Sequence, residues 1–318
     1  MNVLITGGAG FIGSSLIKFY LDRGDKVWAL DNFFSGTKEN IAPFLSHPNF
    51  QFEEADLCTY EKLPKVVAWS DRIYHMAAIV GQKLVLTHPV EVLSVNIRSA
   101  ELILEAVALV KKEVRVLIAS SSCVYDRLPI HLPKEETADL LIASRKFSQA
   151  TYPLSKIVNE VMALSYGASK GVHALVARLF NVIGPNQTGR YGMVVPTFIR
   201  QALLNEPITV YGDGSQTRSF CYIKDIIQML HLLMETQESK GQVINIGNKE
   251  EISILSLAKL IKKKTNSSSK IIHIPYEEAY KMAFEDVQRR SPVLDKLQNL
   301  IGVFPQTTLE KALEEMIY

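Results

Sequence analysis

Three glycines, Gly7, Gly10 and Gly13, stand between a continuous apolar run, Val3-Leu4-Ile5, and an amphipathic stretch from Ile12 to Arg23. In this G-x-x-G-x-x-G spacing the first glycine permits a tight turn from strand into helix. The second lets the backbone approach a pyrophosphate, and the third lets helix and strand pack closely. The helix N-terminus adds unpaired N–H groups and the positive end of its dipole, both suited to phosphate. Gly24-Asp25 breaks the helix, and Asp31 closes the next apolar run, Val27-Trp28-Ala29-Leu30. A carboxylate at that strand end can accept hydrogen bonds from an adenosine ribose diol. Glycine-rich turns are common by themselves, but strand, glycines, helix and acidic strand end in this order predict a dinucleotide site. Asp31 would repel a 2′-phosphate, and Asn32, Phe33, Phe34 and Ser35 bring no cation, so NAD is favoured over NADP. Asp56, ending the third strand in Glu54-Ala55-Asp56-Leu57, is either an acceptor for the adenine amine or a plain strand-end aspartate.

The alternation continues through Phe50 to Glu53, Arg72 to Met76 and Val114 to Ala119, with a helical stretch from Val90 to Lys111 between the last two. Continuous apolar strands separated by helices predict an α/β fold: a Rossmann doubly wound parallel sheet with helices on both faces. After about residue 180 the texture changes. Gly184-Pro185-Asn186-Gln187 and Tyr211-Gly212-Asp213-Gly214 are turn-rich, and shorter helices follow, such as Val194 to Leu204 and Ile223 to Glu235. Gln242 to Ile246 reads as one more core strand returning to the first sheet. The expected division is an NAD-binding Rossmann domain over 1–180, to which the chain returns around 220–247, and a smaller mixed α/β domain over 181–318. A length of 318 residues suits one large domain or two smaller ones.

Lys and Arg total 35 against 33 Asp and Glu, a net charge of +2, which argues against a nucleic-acid or membrane surface. Apolar stretches such as Ala106 to Val110 stop at lysines, short of the roughly 20 residues a membrane span needs. By residue 3 the chain already reads as a core strand, so no secretory signal is expected. Cys58, Cys123 and Cys221 show neither metal-ligand nor CxxC spacing, so reduced thiols, no metal and a cytoplasmic location are expected.

Tyr152 and Lys156 are spaced to share one helical face, and Pro153 between them suits a helix's first turn. An ammonium beside a phenol, joined by a positive nicotinamide, favours the phenolate and lowers the phenol's pKa from about 10. Such a tyrosine can remove a hydroxyl proton while hydride leaves the same carbon. Ser121, just past the strand Val114 to Ala119, lies at the sheet's carboxyl edge, where its hydroxyl can share the substrate's hydrogen bond.

With these features the chain resembles the extended short-chain dehydrogenase/reductase family, in particular its nucleotide-sugar epimerases, dehydratases and decarboxylases. The resemblance runs through Thr6 to Gly13, Asp31 to Gly36, His75-Met76-Ala77-Ala78, Ser120 to Tyr125 and Tyr152 to Lys156. It continues through Arg178-Leu179-Phe180-Asn181, Gly184-Pro185, Thr209 to Gly214, Gln216 to Phe220 and Asn245-Ile246-Gly247. It implies catalytic roles for Ser121, Tyr152 and Lys156. It implies that Gly7, Gly10, Phe11, Ile12, Gly13, Asp31, Asn32, Asp56, Leu57, Ala77 and Ala78 line NAD, together with Tyr152 and Lys156. For a UDP-sugar it implies Cys123, Asn181, Arg190, Val194, Tyr211, Arg218 and Arg290. Asn181 would contact the diphosphate and Arg218 the nucleotide end. Arg290, in Gln288-Arg289-Arg290-Ser291-Pro292, would clamp a phosphate through its planar fork of donors.

Members of this group first oxidise the sugar, usually at C4. Dehydratases and uronate decarboxylases carry a glutamate two positions after the residue matching Ser121, and Cys123 stands there instead. A thiol with pKa near 8.5 replaces a carboxylic acid poorly. That departure points to a 4-epimerase of a UDP-hexose or UDP-hexuronate as the main expectation. The alternative is a UDP-glucuronate decarboxylase or a 4,6-dehydratase. The decarboxylase branch is the one that Asp31 to Gly36, Gln201-Ala202-Leu203 and Pro207 to Phe220 resemble, with Arg190 and Lys83 in loops that could reach a sugar carboxylate. Asp126, where the family has glycine, would restore an acid nearby. A non-catalytic NAD-binding regulator is a lesser alternative, since such proteins lose the tyrosine or lysine. The resemblance also implies a homodimer through the helices Val90 to Lys111 and Tyr152 to Lys170, whose stripes include Val158, Val161, Met162 and Tyr166.

Overall fold

A computed structural model describes residues 1–126, 128–129, 134–142, 147–190, 192–280 and 286–318. The chain opens with β1 (Asn2–Thr6), α1 (Phe11–Asp22), β2 (Lys26–Asp31), β3 (Phe50–Glu54), α2 (Leu63–Trp69) and β4 (Arg72–His75). It continues with α3 (Gln82–Thr87), α4 (Pro89–Leu109), β5 (Arg115–Ser121), α5 (Phe147–Lys170) and β6 (His173–Leu179). Then come β7 (Val182–Ile183), α6 (Val194–Leu203), β8 (Ile208–Tyr211), β9 (Thr217–Ser219), β10 (Cys221–Tyr222), α7 (Ile223–Glu235) and β11 (Val243–Ile246). The last elements used below are β12 (Glu251–Ser253), α8 (Ile254–Lys264), β13 (Ile271–Ile274) and β14 (Arg289–Arg290).

Seven strands form one parallel sheet in the order β11-β6-β5-β4-β1-β2-β3. Alternate side chains of each strand leave on opposite faces, and both faces are covered. Val3, Ile5, Val27, Ala29, Leu117 and Leu175 pack with α1 and α7, whereas Leu4, Trp28, Leu30, Ile73, Val116 and Val176 pack with α2, α4 and α5. This is why the strands read as unbroken apolar runs. The strand order reverses between β1 and β4, so the chain leaving these two strands diverges and opens a crevice at their carboxyl ends.

Beyond β6 the chain forms smaller sheets. β7 pairs with β10 and β8 with β13, while β9 lies between antiparallel β12 and parallel β14. β11 adds to the edge of the central sheet beside β6.

Two local expectations need correction. α5 starts at Phe147, so Pro153 lies inside the helix and not in its first turn. β3 stops at Glu54, so Asp56 belongs to the following loop, where its Oδ1 accepts from the Cys58 N–H at 2.9 Å. Among the described residues no helix is long and apolar enough to cross a membrane.

Candidate active site

The crevice at the switch point widens into a cleft of about 960 Å3, lined from both parts of the chain. Gly7 has φ +71°, and a Cβ there would stand 2.7 Å from the Ala77 nitrogen. A Cβ on Gly13 would stand 2.1 Å from the Gly7 carbonyl oxygen, so the turn closes only without side chains at both positions. Gly10 is the N-cap of α1 and supplies no side chain to cap it, which leaves the first N–H groups of the helix for a ligand.

Asp31 accepts from the Ala9 N–H through Oδ2 at 3.0 Å and from the Phe33 N–H through Oδ1 at 2.8 Å. Burial pushes its pKa up, against the pull of those two bonds. Each carboxylate oxygen keeps acceptor capacity for a ribose hydroxyl. Phe11, Ile12, Asn32, Asp56, Leu57, Ala77 and Ala78 line the same cleft. Glycine cradle, open helix end and the Asp31 carboxylate fit a dinucleotide without a 2′-phosphate.

β5 delivers Ser121 to the sheet's edge, where its Oγ accepts from the Cys123 N–H at 3.3 Å and caps the short turn Ser122–Tyr125. Tyr152 reaches the same hydroxyl with a hydrogen bond. Lys156 is buried, donates from Nζ to the Ala119 carbonyl at 2.9 Å, and lies 5.6 Å from the centre of the Tyr152 ring. The electrostatics differ from the simple expectation of a phenol acidified by its lysine. Burial, then Cys123, holds the Tyr152 phenol above its ordinary value, and the opposing pulls come from Ser121 and Arg290. Lys156 itself is pushed down to about 8 by burial. Of the expected acidifying charges, the pyridinium of NAD is therefore the one that remains to be supplied. Cys123 is buried and its thiol is pushed up to about 12, first by burial and then by Asp126, so it stays neutral and is a poor acid.

Asn181, Val194, Tyr211, Arg218 and Arg290 also line the cleft. The Asn181 amide donates to the Ser219 carbonyl at 2.9 Å. Arg218 donates from Nη2 to Asp286 at 2.8 Å and from Nη1 to the carbonyls of Thr217 (2.8 Å) and Val287 (2.7 Å). Arg290 donates from Nη2 to Asp126 Oδ1 at 2.7 Å, and its charge acts on Cys123 and Tyr152. Arg190 is the exception. Exposed on its loop, it is not among the described residues that line the cleft, and neither is Lys83.

Sequence reasoning missed the support beneath these groups. Ser120 donates to Glu160 at 2.5 Å, and Arg178 joins Glu160 to Tyr125, whose hydroxyl donates to Asn245 at 2.9 Å. A usable signal was present: Glu160 stands one turn beyond Lys156 on the face of α5 that should be buried. Asp286, the partner of Arg218, was legible only as an acid just ahead of the Gln288–Pro292 motif.

The NAD dependent epimerase/dehydratase family model matches residues 3–247. The chain is 35% identical over 316 residues to a UDP-N-acetyl-alpha-D-glucosaminuronate decarboxylase of Bacillus cytotoxicus, covering 99% of this chain and 96% of that one. It is 35% identical to UDP-glucuronic acid decarboxylase 1 of Xenopus tropicalis, covering all of this chain and 71% of the relative. Among solved structures, UDP-glucuronic acid 4-epimerase of Bacillus cereus, in complex with UDP-glucuronic acid and NAD, superposes with a TM-score of 0.86 at 28% identity, over 100% of this chain and 98% of the other. The UDP-N-acetylglucosamine 4-epimerase of Methanobrevibacter ruminantium M1 gives 0.89 at 28%, over 99% and 96%. The chain thus belongs to the NAD-dependent epimerase/dehydratase family, as an enzyme that uses NAD and acts on nucleotide sugars.

Proposed function

We propose that this chain is a decarboxylase of UDP-linked uronic sugars, in place of the 4-epimerase expected from the sequence. The observation that carries the reading is the likeness, from end to end, to decarboxylases of such sugars. The missing glutamate at Cys123 weighs less against this reaction than against dehydration. Expelling water needs an acid, whereas a C4 ketone makes the neighbouring carboxylate a β-keto acid that loses carbon dioxide readily.

Held by the glycine turn and Asp31, NAD would supply the hydride acceptor for oxidation at C4 and the donor for its return. Tyr152 takes the C4 hydroxyl proton, and Ser121 holds the same oxygen through its hydroxyl. Once carbon dioxide has left, the negative charge spreads onto the C4 oxygen, where hydrogen bonds from Tyr152 and Ser121 stabilise it. C5 then takes a proton, so each turnover consumes one proton and releases one carbon dioxide. Arg290, which lines the cleft and whose charge acts on Tyr152, is the donor for the sugar carboxylate in this reading. Residues 1–180 with the return at 220–247 hold NAD in this reading, and the rest of 181–318 holds the nucleotide sugar. We also propose a homodimer through α4 and α5, whose surfaces expose Val90, Leu109, Val161 and Leu164.

The test incubates purified protein with UDP-glucuronate, its N-acetylated relative and UDP-glucose, and resolves the products by NMR. A product lighter by carbon dioxide supports the reading; an isobaric product overturns it in favour of 4-epimerisation, the reading that Cys123 favours.

A further inference from the structure

β14 runs parallel to β9 with Arg290 in register with Arg218, so two guanidiniums lie side by side in the cleft. Two carboxylates answer them, Asp286 on Arg218 and Asp126 on Arg290. The arrangement is unequal. Arg218 is tied by Asp286 and two backbone carbonyls, whereas Arg290 meets Asp126 through Nη2 and keeps a buried Nε with no partner among the described residues. Asp126 is fixed by its own backbone, whose N–H donates to the Cys123 carbonyl at 3.1 Å at the end of the turn that carries Ser121 and Cys123. Asp126 is therefore carried by the same turn as the candidate catalytic serine. Arg218, Asp286 and Lys134 are the other charges that act on this pair.

We propose that Asp126 is a specificity-determining residue which, through Arg290, sets how strongly the cleft prefers an anionic sugar to a neutral one. The inference rests on the decarboxylase reading in expecting a sugar carboxylate at Arg290. A carboxylate already bonded to the guanidinium cancels much of its field, so an arriving uronate meets an ion pair and one like charge. Asp126 weakens the ground-state hold on the uronate. It also gives Arg290 a counter-ion once carbon dioxide has left, when a buried unpaired guanidinium would otherwise remain. Decarboxylated sugar can then depart without stranding a charge.

The experiment measures binding of UDP-glucuronate and UDP-glucose by calorimetry to NAD-loaded protein, in a Tyr152→Phe background that prevents turnover. Asp126→Asn keeps an oxygen for the Arg290 N–H but removes the charge. It should raise the affinity ratio of UDP-glucuronate to UDP-glucose about tenfold at low salt, since a like charge within a few ångströms has gone. Asp126→Glu should leave the ratio within about twofold of the parent. An unchanged or lower ratio in Asp126→Asn, or a glutamate variant that behaves like the asparagine one, overturns the proposal. If Asp126→Asn does not fold by thermal unfolding, Asp126→Gly makes the same comparison. The ratio does not depend on turnover. A flat ratio in a protein that releases carbon dioxide sinks this inference alone, and a raised ratio in one that only epimerises sinks the decarboxylase reading alone.

Discussion

Glu160 and Arg178 meet through two buried hydrogen bonds, Nε to Oε1 at 2.9 Å and Nη2 to Oε2 at 2.7 Å. The pair joins α5, which carries Tyr152 and Lys156, to β6, and through Ser120 and Tyr125 it also grips the turn that holds Ser121. Breaking one side of a buried pair leaves an uncompensated charge, at a cost of about 3–5 kcal/mol. Glu160→Leu should therefore lower the unfolding midpoint sharply. Adding Arg178→Met should recover most of that stability, because the stranded guanidinium is then gone. Thermal unfolding of the two single variants and the double variant measures this, and additive losses would contradict it.

Tyr152→Phe should reduce kcat by about 10²–10⁴-fold, the usual contribution of a positioned general base. NAD should stay bound, since the glycine turn and Asp31 are untouched. Cofactor content after purification, read beside turnover, separates loss of chemistry from loss of binding. A variant that kept its rate would remove Tyr152 from the mechanism.

Lys156 loses its proton near pH 8 in the folded chain, below its ordinary 10.5, because burial disfavours the ammonium. Between those values the unfolded chain binds more protons than the folded one, so this group's contribution to stability rises with pH across that window. Relative to Lys156→Met, the parent should thus gain stability on going from pH 8 toward 10.5, as denaturant unfolding at stepped pH would show. Activity should run the other way: if the ammonium is required, kcat falls through an alkaline limb near pH 8. Lys156→Arg, which keeps its charge, should move that limb upward even if its rate is lower.

Val161 is 58% exposed on α5 and sits with Leu164 on the surface proposed above for a dimer. Val161→Lys should shift the protein from dimer to monomer in light scattering after gel filtration, with little change in the unfolding midpoint of the monomer. A parent that is already monomeric would end the dimer proposal.

The sheet was legible because burial on both faces leaves a simple trace: uninterrupted apolar strands such as Val3-Leu4-Ile5, each followed by a helix. The glycine turn and Asp31 were legible because steric closeness and strand-end chemistry admit few residue types. Pro153 misled because a proline's usual place in the first turn says nothing about helix continuing before it. The electrostatics of Tyr152 were out of reach, since the largest influence on its proton is burial, a property of the assembled site and not of the Tyr-Lys spacing. Arg190 shows the converse. A cation in a loop of the right region looks suitable in sequence, but in the folded chain it is exposed and not among the described residues that line the cleft.

Asn245, in the last strand of the central sheet, accepts from the Tyr125 hydroxyl and donates to the carbonyls of Lys134 and Val293. Its N–H donates to Glu136. The residue thus ties the stretch 125–136 to β11 and to Val293 near the end of the polypeptide. A fragment cut after residue 180 would bare β6, whose Ala174, Leu175, Val176 and Ala177 are all buried, as a naked hydrophobic border open to any other strand. Residues 1–180 should therefore not serve another protein as a self-sufficient cassette, and a truncated gene product of this kind should accumulate as aggregate.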